Sequence, residues 1–582
     1  MLQNPYAGRR ANNFVTATGS TTSRSLADRA ADTVNILDHG AVGDDSTNNR
    51  VAIDAAVADA GPDGAYVPEG TFAVATGVVA PADGEMVLFG RGLASVIKKQ
   101  AGVLVGPVYV FDGQTRLDLE RIGVDFAVDT TATNGVNLFK YDYSDIRITS
   151  VTADANVEID GVTGARNYLA SFCTIPASAN VSGLTVSFSK FTNFFYGLLQ
   201  ANNTVATTKD ISFVFNEFDE FGSVALLFNA PADGALIENV QIIGNKLGAN
   251  RSQQPFGSSV GYPHRGSFAG HVEYARLIGN HATGYGGELF RSEEAARGVI
   301  MALNTARLDG KDGIEIIPNN AGGTLYTPRF FSVNGNILDH RGLVSSPTKG
   351  WGLGLQTYTS ISGHENAECL QDSVVHDNIV NSFSEGLLTH FGMQRNLVHH
   401  NVSVENATGL KTYAPSLGVQ DTLLVSNTTA VDFEQGGILG RLHLRGTAAE
   451  GAYQPISVDA ASAPGATEGW TWESGRFSVA DGDTFVDLIP RGARIQGRII
   501  ATLTKDNATY CYETGQLVWD GSTLVYYRER RFAAGDPVIA SADPFGLTDT
   551  DGRLAIKLAS TVGSATTNCR LQVKFDGLHV WS

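Results

Sequence analysis

Between about residues 105 and 440 the chain repeats one phrase: a short apolar strand, a glycine or polar residue, an asparagine, then another apolar pair. The copies centre on Asn216, Asn245, Asn280, Asn304, Asn336, Asn378, Asn401 and Asn427. Successive asparagines stand 29, 35, 24, 32, 42, 23 and 26 residues apart. The shortest steps match one coil of a three-faced parallel β-helix, and the longer ones predict loops inserted into a coil. Strands of successive coils stack about 4.8 Å apart, so each amide is expected to stand on the last as an internal ladder. A second phrase reads as the next strand of each coil: Gly197-Leu198-Leu199, Gly313-Ile314-Glu315-Ile316, Gly386-Leu387-Leu388 and Gly409-Leu410-Lys411. Leucine-rich repeats are the rival solenoid, but their leucine spacing and helical segment are absent.

Ahead of the repeats the pattern changes. Val34–Leu37 is apolar and is stopped by His39-Gly40 and Gly43-Asp44-Asp45. Ser46 or Thr47 is expected to cap a helix presenting Val51, Ile53, Ala56 and Val57 on one face. Ala65-Tyr66-Val67 then gives a strand, and Pro68-Glu69-Gly70 turns into a second one at Thr71–Val74. So short and alanine-rich a helix is marginal alone and must lie on something larger. The segment Asn35 to Asp45, with the helix behind it, resembles the entry motif of the pectate-lyase-like right-handed parallel β-helix superfamily. His39 stands where that motif has an aromatic, Asp45 where it has a second glycine, and Asn48-Asn49 where it has an acidic pair. The resemblance implies that the helix covers the open end of the solenoid.

Residues 1–33 read as an extended connector. The run from Thr22 through Arg24-Ser25-Leu26-Ala27-Asp28-Arg29 to Val34-Asn35 resembles the junction before the β-helix in bacteriophage tailspikes. At the other end, Asp459–Gly469 reads as a linker, and residues 470–582 alternate as an antiparallel sandwich, with Asp520-Gly521 a hairpin turn. The expected organisation is a connector (1–33), an entry segment with capping helix (34–104), the parallel β-helix with inserted loops (105–445), a linker (446–469) and a C-terminal β-sandwich (470–582). In tailspikes a domain at that last position trimerises the spike or binds sugar.

Charge narrows the partners. The balance of 42 basic against 60 acidic residues gives −18, which argues against a nucleic-acid surface and disfavours anionic substrates except where arginines gather. Cys173, Cys369, Cys511 and Cys569 lack metal-ligand spacing; the first two read as buried thiols, and a Cys511–Cys569 bridge stays open. The first 35 residues hold no unbroken apolar core of a signal peptide, and no run reaches membrane-spanning length. The expectation is a protein assembled in the host cytoplasm.

Chemistry is expected on the inserted loops. Glycoside cleavage generally needs two carboxyls, one protonated and one ionised. The densest acidic cluster falls in two consecutive coils, with Glu288 in the first and Asp309, Asp312 and Glu315 in the second. Glu288 precedes Asp312 by 24 residues, one coil, so the two are expected to stand one above the other. The bland reading makes Asp309-Gly310 and Asp312-Gly313 turns, and Glu293 and Glu294 a solvated loop ion-paired with Arg291 and Arg297. Tyr262, His264 and Arg265 offer stacking, a neutral-pH base and a cation, and Arg291, Trp351 and Tyr358 complete the candidate substrate-binding set. Packed loop aromatics and contacts with a neighbouring subunit are the alternative roles for these residues. His376, His399 and His400 fall within the asparagine phrase and are read as structural. No spacing suggests zinc, and neither a metal nor a cofactor is expected.

The resemblance implies a virion protein of the phage tail: a homotrimer that binds bacterial surface polysaccharide (O-antigen, capsule or exopolysaccharide) and is held to the tail or baseplate by residues 1–33. The expected activity is an endoglycosidase that depolymerises this glycan by hydrolysis. The alternatives are a polysaccharide lyase acting on a uronate, with Tyr262, His264 or Arg265 taking the proton, and a glycan-binding adhesin that does not cleave. No nucleic-acid or membrane partner is expected.

Overall fold

A computed structural model describes the strands and corners of residues 33–581, together with a two-residue pairing, Phe14–Val15 antiparallel to Arg24–Ser25. The longest stretches outside the description are 101–108, 127–142, 155–170, 249–265, 341–349, 356–369 and 446–453, with shorter gaps between strands. The chain divides into two compact units, residues 1–227 with 232–241, and residues 228–231 with 242–582. Among the described residues no helix is long and apolar enough to cross a membrane.

The first unit opens on the helix α1, Arg50–Ala60. Its buried face is Ile53, Ala56, Val57 and Ala60, whereas Val51 is 73% exposed, contrary to the expected face. Neither Ser46 nor Thr47 caps it. Asp44 instead accepts from the Ser46 and Thr47 backbone N–H groups at 2.9 and 2.7 Å. Those bonds, Thr47's foremost, hold the Asp44 carboxyl well below the usual carboxylate range. The helix N-cap is Asn49, whose side chain makes no cap bond. It is 1% exposed and ties the loop to the first coil, accepting from Val42 N and donating to the Val42, Thr47 and Ala73 carbonyls. Parallel rungs then build upward: Ala65–Tyr66 pairs with Glu85–Lys99, which pairs with Arg116–Phe126 and that in turn with Tyr143–Thr149. Ser189 and Asn216 hold one corner, Ser189 N–H donating to Asn216 Oδ1 at 3.0 Å and Asn216 Nδ2 to Val186 O at 2.9 Å.

The second unit is a parallel β-helix with three faces, the fold class that the repeats predict. The first face stacks Arg276–Ile278, Ile300–Ala302, Ser332–Asn334, Val374–His376, Leu397–His399 and Gly418–Gln420. The second stacks the strands from His281–Gly284 to Thr422–Val425. The third consists of β1 (Gly266–Gly270), β2 (Phe290–Glu293), β3 (Ile314–Ile317), β4 (Trp351–Leu355), β5 (Glu385–Thr389), β6 (Thr408–Thr412), β7 (Thr429–Phe433) and β8 (Gln454–Val458).

Between the first and second faces runs the amide ladder. Asn245, Asn280, Asn304, Asn336, Asn378 and Asn401 are at most 1% exposed. From Asn280 to Asn401 each side-chain oxygen accepts from both the backbone N–H and the amide Nδ2 of the asparagine one coil below, at 2.8–3.1 Å. From Asn280 onward each Nδ2 also donates to a strand carbonyl of that lower coil. The residue before each of the six lies at φ between 53° and 65°: Gly244, Gly279, Leu303, Gly335, Asp377 and His400. That left-handed corner explains the preference for glycine or a short polar residue there. Asn427 is a correction. It belongs to the next corner, accepting from Asn406 N at 2.9 Å and donating to Ser403 O at 3.0 Å, while Asn406 accepts from Phe383 N. The final 26-residue step therefore joins two different columns.

The expected linker, 446–469, is corrected twice. Gln454–Val458 is a rung of the third face, and Gly465–Glu473 is a strand, parallel to Ile438–Arg445 on one edge and antiparallel to Thr566–Trp581 on the other. The solenoid passes into antiparallel sheet through this shared strand. Thr566–Trp581, Arg494–Lys505, Ala508–Trp519 and Leu524–Ala533 continue it, with the expected hairpin pairing Trp519 to Leu524. A second sheet contains Gly482–Ile489, Leu554–Ser560, Val538–Ile539 and Phe545–Leu547. Cys511 and Cys569 are buried and not bridged to each other. They lie on strands flanking Arg494–Lys505 on opposite sides, two strand spacings or about 9.6 Å across and two residues further along, beyond the reach of a disulfide.

Candidate functional site on the third face

Every long ladder step spends its extra residues at the third face. The 35-residue step from Asn245 inserts before β1, and the 32-residue step from Asn304 adds a hairpin, Asn319–Ala321 with Thr324–Tyr326, after β3. The 42-residue step from Asn336 inserts on both sides of β4. Insertion there leaves the other two faces in register, so β1 to β4 form a floor flanked by loops at both ends.

Alternation decides what that floor shows. Phe290, Ile314, Leu353, Leu387 and Leu410 form an inward column and are all buried. The neighbouring outward column is Arg291, Glu315, Gly354, Leu388 and Lys411. A glycine column starts the strands, and it has no room for side chains. A Cβ at Gly313 would stand 2.2 Å from the Gly352 carbonyl oxygen, and one at Gly352 would stand 2.7 Å from the Val380 side chain. At Gly386 it would stand 2.2 Å from Ser403 Oγ. The residue before each of the last two, Trp351 and Glu385, pairs in register on the outer surface.

Two ion pairs result, with Trp351 between them. Arg291 Nε lies 3.4 Å from Glu315 Oε2, and Glu315 is only 3% exposed. Lys411 Nζ lies 3.4 Å from Glu385 Oε1, with both side chains largely covered. The Trp351 indole lies across Gly354, where a Cβ would come within 2.3 Å of it. Gly354 is the register neighbour of Glu315, and Trp351 that of Glu385. Arg291 therefore faces Glu315 one coil above; the expected pairing with Glu293 and Glu294 lies outside the described side chains. A buried ion pair is retained only as a pair, since either charge alone pays the desolvation cost uncompensated. Glu315 is thereby committed to holding Arg291. Glu385 lies two rungs and three residues from the Glu315 register, so the two backbones are about 14 Å apart. Each carboxylate lies instead against its own cation, Glu315 against Arg291 and Glu385 against Lys411.

A wall rises where the third face turns into the first. Tyr274, Gly298, Phe330 and Asp372 occupy successive left-handed corners, at φ 59°, 65°, 58° and 52°. The first three donate their N–H to the carbonyls of Arg297, Arg329 and Gln371 one coil above. Tyr274 and Phe330 are 59% and 58% exposed, and a Cβ at Gly298 would stand 3.0 Å from the Tyr274 ring. Beside them Glu273, Arg297, Arg329 and Gln371 align by parallel bridges. Large residues in left-handed backbone are costly and concentrate where a surface is used.

Of the sequence-selected residues, Arg291, Glu315 and Trp351 come together on this floor. Glu288, Asp309, Asp312, Tyr262, His264, Arg265 and Tyr358 lie outside the described residues. Among the described residues of those two coils, Leu289 N donates to Gly313 O at 2.8 Å and Phe290 pairs with Ile314. Glu385, Lys411 and Phe330 were missed. Aligning the glycine phrase places Glu385 beside Trp351, but no sequence pattern identifies an outward aromatic at a corner. Among the described residues no three His, Cys, Asp or Glu gather as a metal site.

Residues 33–167 match the family model described as rhamnogalacturonase A/epimerase, pectate lyase-like. No curated protein matches the sequence. Among solved structures the chain is similar to the tailspike protein of E. coli bacteriophage HK620 in complex with a pentasaccharide. That likeness has 11% identity, covers 99% of this chain and 98% of that one, and has a TM-score of 0.43. It is similar to tailspike protein 3 of bacteriophage CBA120 at 12% identity, over 77% of this chain and 62% of that one, with a TM-score of 0.38. It is also similar to PfbA, a surface adhesin of Streptococcus pneumoniae, at 11% identity, over 87% and 99%, with a TM-score of 0.34.

Proposed function

We propose that the chain is a bacteriophage tailspike that binds bacterial surface polysaccharide along the third face and cleaves it by glycosidic hydrolysis. The observation that carries this reading is Trp351 held between the Arg291–Glu315 and Glu385–Lys411 pairs, on a floor flanked by inserted loops. Such a floor offers a pyranose an apolar platform with fixed polar groups on either side. The acid and base belong to the loops entering the floor, with Glu288 opposite Asp309 or Asp312. Arg291 and Glu315 act as positioning residues for those loops. Homotrimer assembly and virion attachment through residues 1–33 belong to the same proposal.

Incubating the protein with polysaccharide from candidate hosts tests it. Hydrolysis predicts a fall in polymer size with new reducing ends and no ultraviolet-absorbing unsaturated product. Unsaturated ends would make it a lyase, and binding without any fall in size would make it an adhesin. Trp351→Ala is expected to lower cleavage about tenfold with unchanged melting, from the loss of one stacking contact. Unaltered cleavage would remove the third face from the reaction.

A further inference from the structure

The first unit carries a shallow groove of about 570 Å³ that the proposed reaction does not use. Its lining includes Asn35, Asp38, Tyr66, Phe89, Arg91 and Arg121. Strand register builds it: Asn35, Tyr66, Phe89 and Glu120 occupy successive rungs of one outward column. The Tyr66 and Phe89 rings lie 5.6 Å apart at 40°, making a tilted aromatic floor that is partly open to solvent. Two guanidinium groups border it, each held by a carboxylate. Arg91 Nη1 is 3.2 Å from Glu69 Oε1, and Arg121 Nε is 2.9 Å from Glu120 Oε1. Arg121 is also in left-handed backbone, at φ 52°. Asn35 Oδ1 accepts from Leu37 N at 3.0 Å, which fixes the orientation of that amide at the groove edge.

We propose that this groove binds one neutral pyranose unit of a glycan, separately from the third face. The aromatic floor suits the C–H face of a sugar ring, while the Arg91 and Arg121 N–H groups, the Asn35 amide and the Asp38 carboxylate suit its hydroxyls. Charge selects the neutral class. Two arginines are set against Asp38, Glu69 and Glu120, so the local balance is 2 − 3 = −1, and a uronate or sugar phosphate would meet net repulsion. The proposal does not depend on polysaccharide cleavage.

Saturation-transfer NMR with glucose, galactose, rhamnose and N-acetylglucosamine, and with glucuronic acid as the charged counterpart, tests it on the full chain. The measurements are made in the Trp351→Ala background, which removes the third-face platform, and at least one neutral sugar is expected to receive transfer at its ring protons there. Tyr66→Ala and Arg121→Ala are each expected to weaken that binding about tenfold. Arg121, with 56% of its side chain exposed, can be removed without unfolding and decides the matter should Tyr66→Ala fail to fold. No transfer to any neutral sugar overturns the proposal. So does wild-type binding in the Arg121→Ala protein, or glucuronic acid binding as well as the neutral sugars. Loss of the signal in Trp351→Ala would assign the binding to the third face instead.

Discussion

Removing one amide from the ladder should loosen two coils and little else. The Asn304 side chain makes four hydrogen bonds: Oδ1 accepts from Asn280 N and Nδ2, and Nδ2 donates to Leu277 O and Asn336 Oδ1, all at 2.9 Å. Asn304→Ala orphans the Asn280 N–H and one Asn280 amide hydrogen in a dry interior. Asn336 Oδ1 keeps its bond from Asn304 N, and the Leu277 carbonyl keeps its place in the parallel ladder with Met301. At about 1 kcal/mol for each of two orphaned groups, the local cost is about 2 kcal/mol, equivalent to roughly 30-fold in an opening equilibrium. Hydrogen exchange read by mass spectrometry is the assay, because a solenoid opens coil by coil. Peptides spanning 276–284 should exchange about 30-fold faster in the variant. Asn427→Ala should leave them unchanged and accelerate the segment around Ser403 and Asn406 instead. Asn304→Asp keeps the shape but sets a carboxylate oxygen against two acceptors, and should be no better than alanine. Exchange within about threefold of wild type in Asn304→Ala would refute the ladder as a source of stability.

Arg291→Met strands Glu315 in a site where it is 3% exposed and should lower stability to denaturant by about 3–5 kcal/mol. Adding Glu315→Leu should restore most of that, and failure of the double variant to recover would show that the pair is not the coupled unit. Acidification supplies another test at the first-face histidines. His376 and His399 stack at 5.1 Å, with His400, Asp377 and Asp421 around them. Burial, then His400 and His376, lower the His399 pKa from its ordinary value. A lowered folded-state value means that the unfolded chain binds the proton more readily. The contribution is therefore complete above about pH 6.5 and lost as pH falls through the folded value. His399→Gln should flatten the fall in melting temperature between about pH 6.5 and 5, and an unchanged slope would remove His399 as its source.

What the linear chain determined is what repeats. A coil of 23–24 residues can close only if each corner finds the same solution. The recurrent glycine or polar residue before asparagine is that solution: a left-handed corner followed by an amide with a donor and an acceptor to stack. The solenoid was legible for this reason, and the entry helix and the hairpin pairing Trp519 to Leu524 were legible from local face and turn signals. Tertiary structure decided what one coil does to another. The offset that sets Arg291 against Glu315, and the close packing that admits only glycine at Gly352, are distances between residues 24 or more positions apart. The same holds for the two corners that separate Asn401 from Asn427. No local pattern encodes them, because a side chain's partner in a solenoid is fixed by the length of the loop between. The third face was therefore assembled by insertions whose residue types suggested chemistry but whose register alone brought Trp351 between two ion pairs.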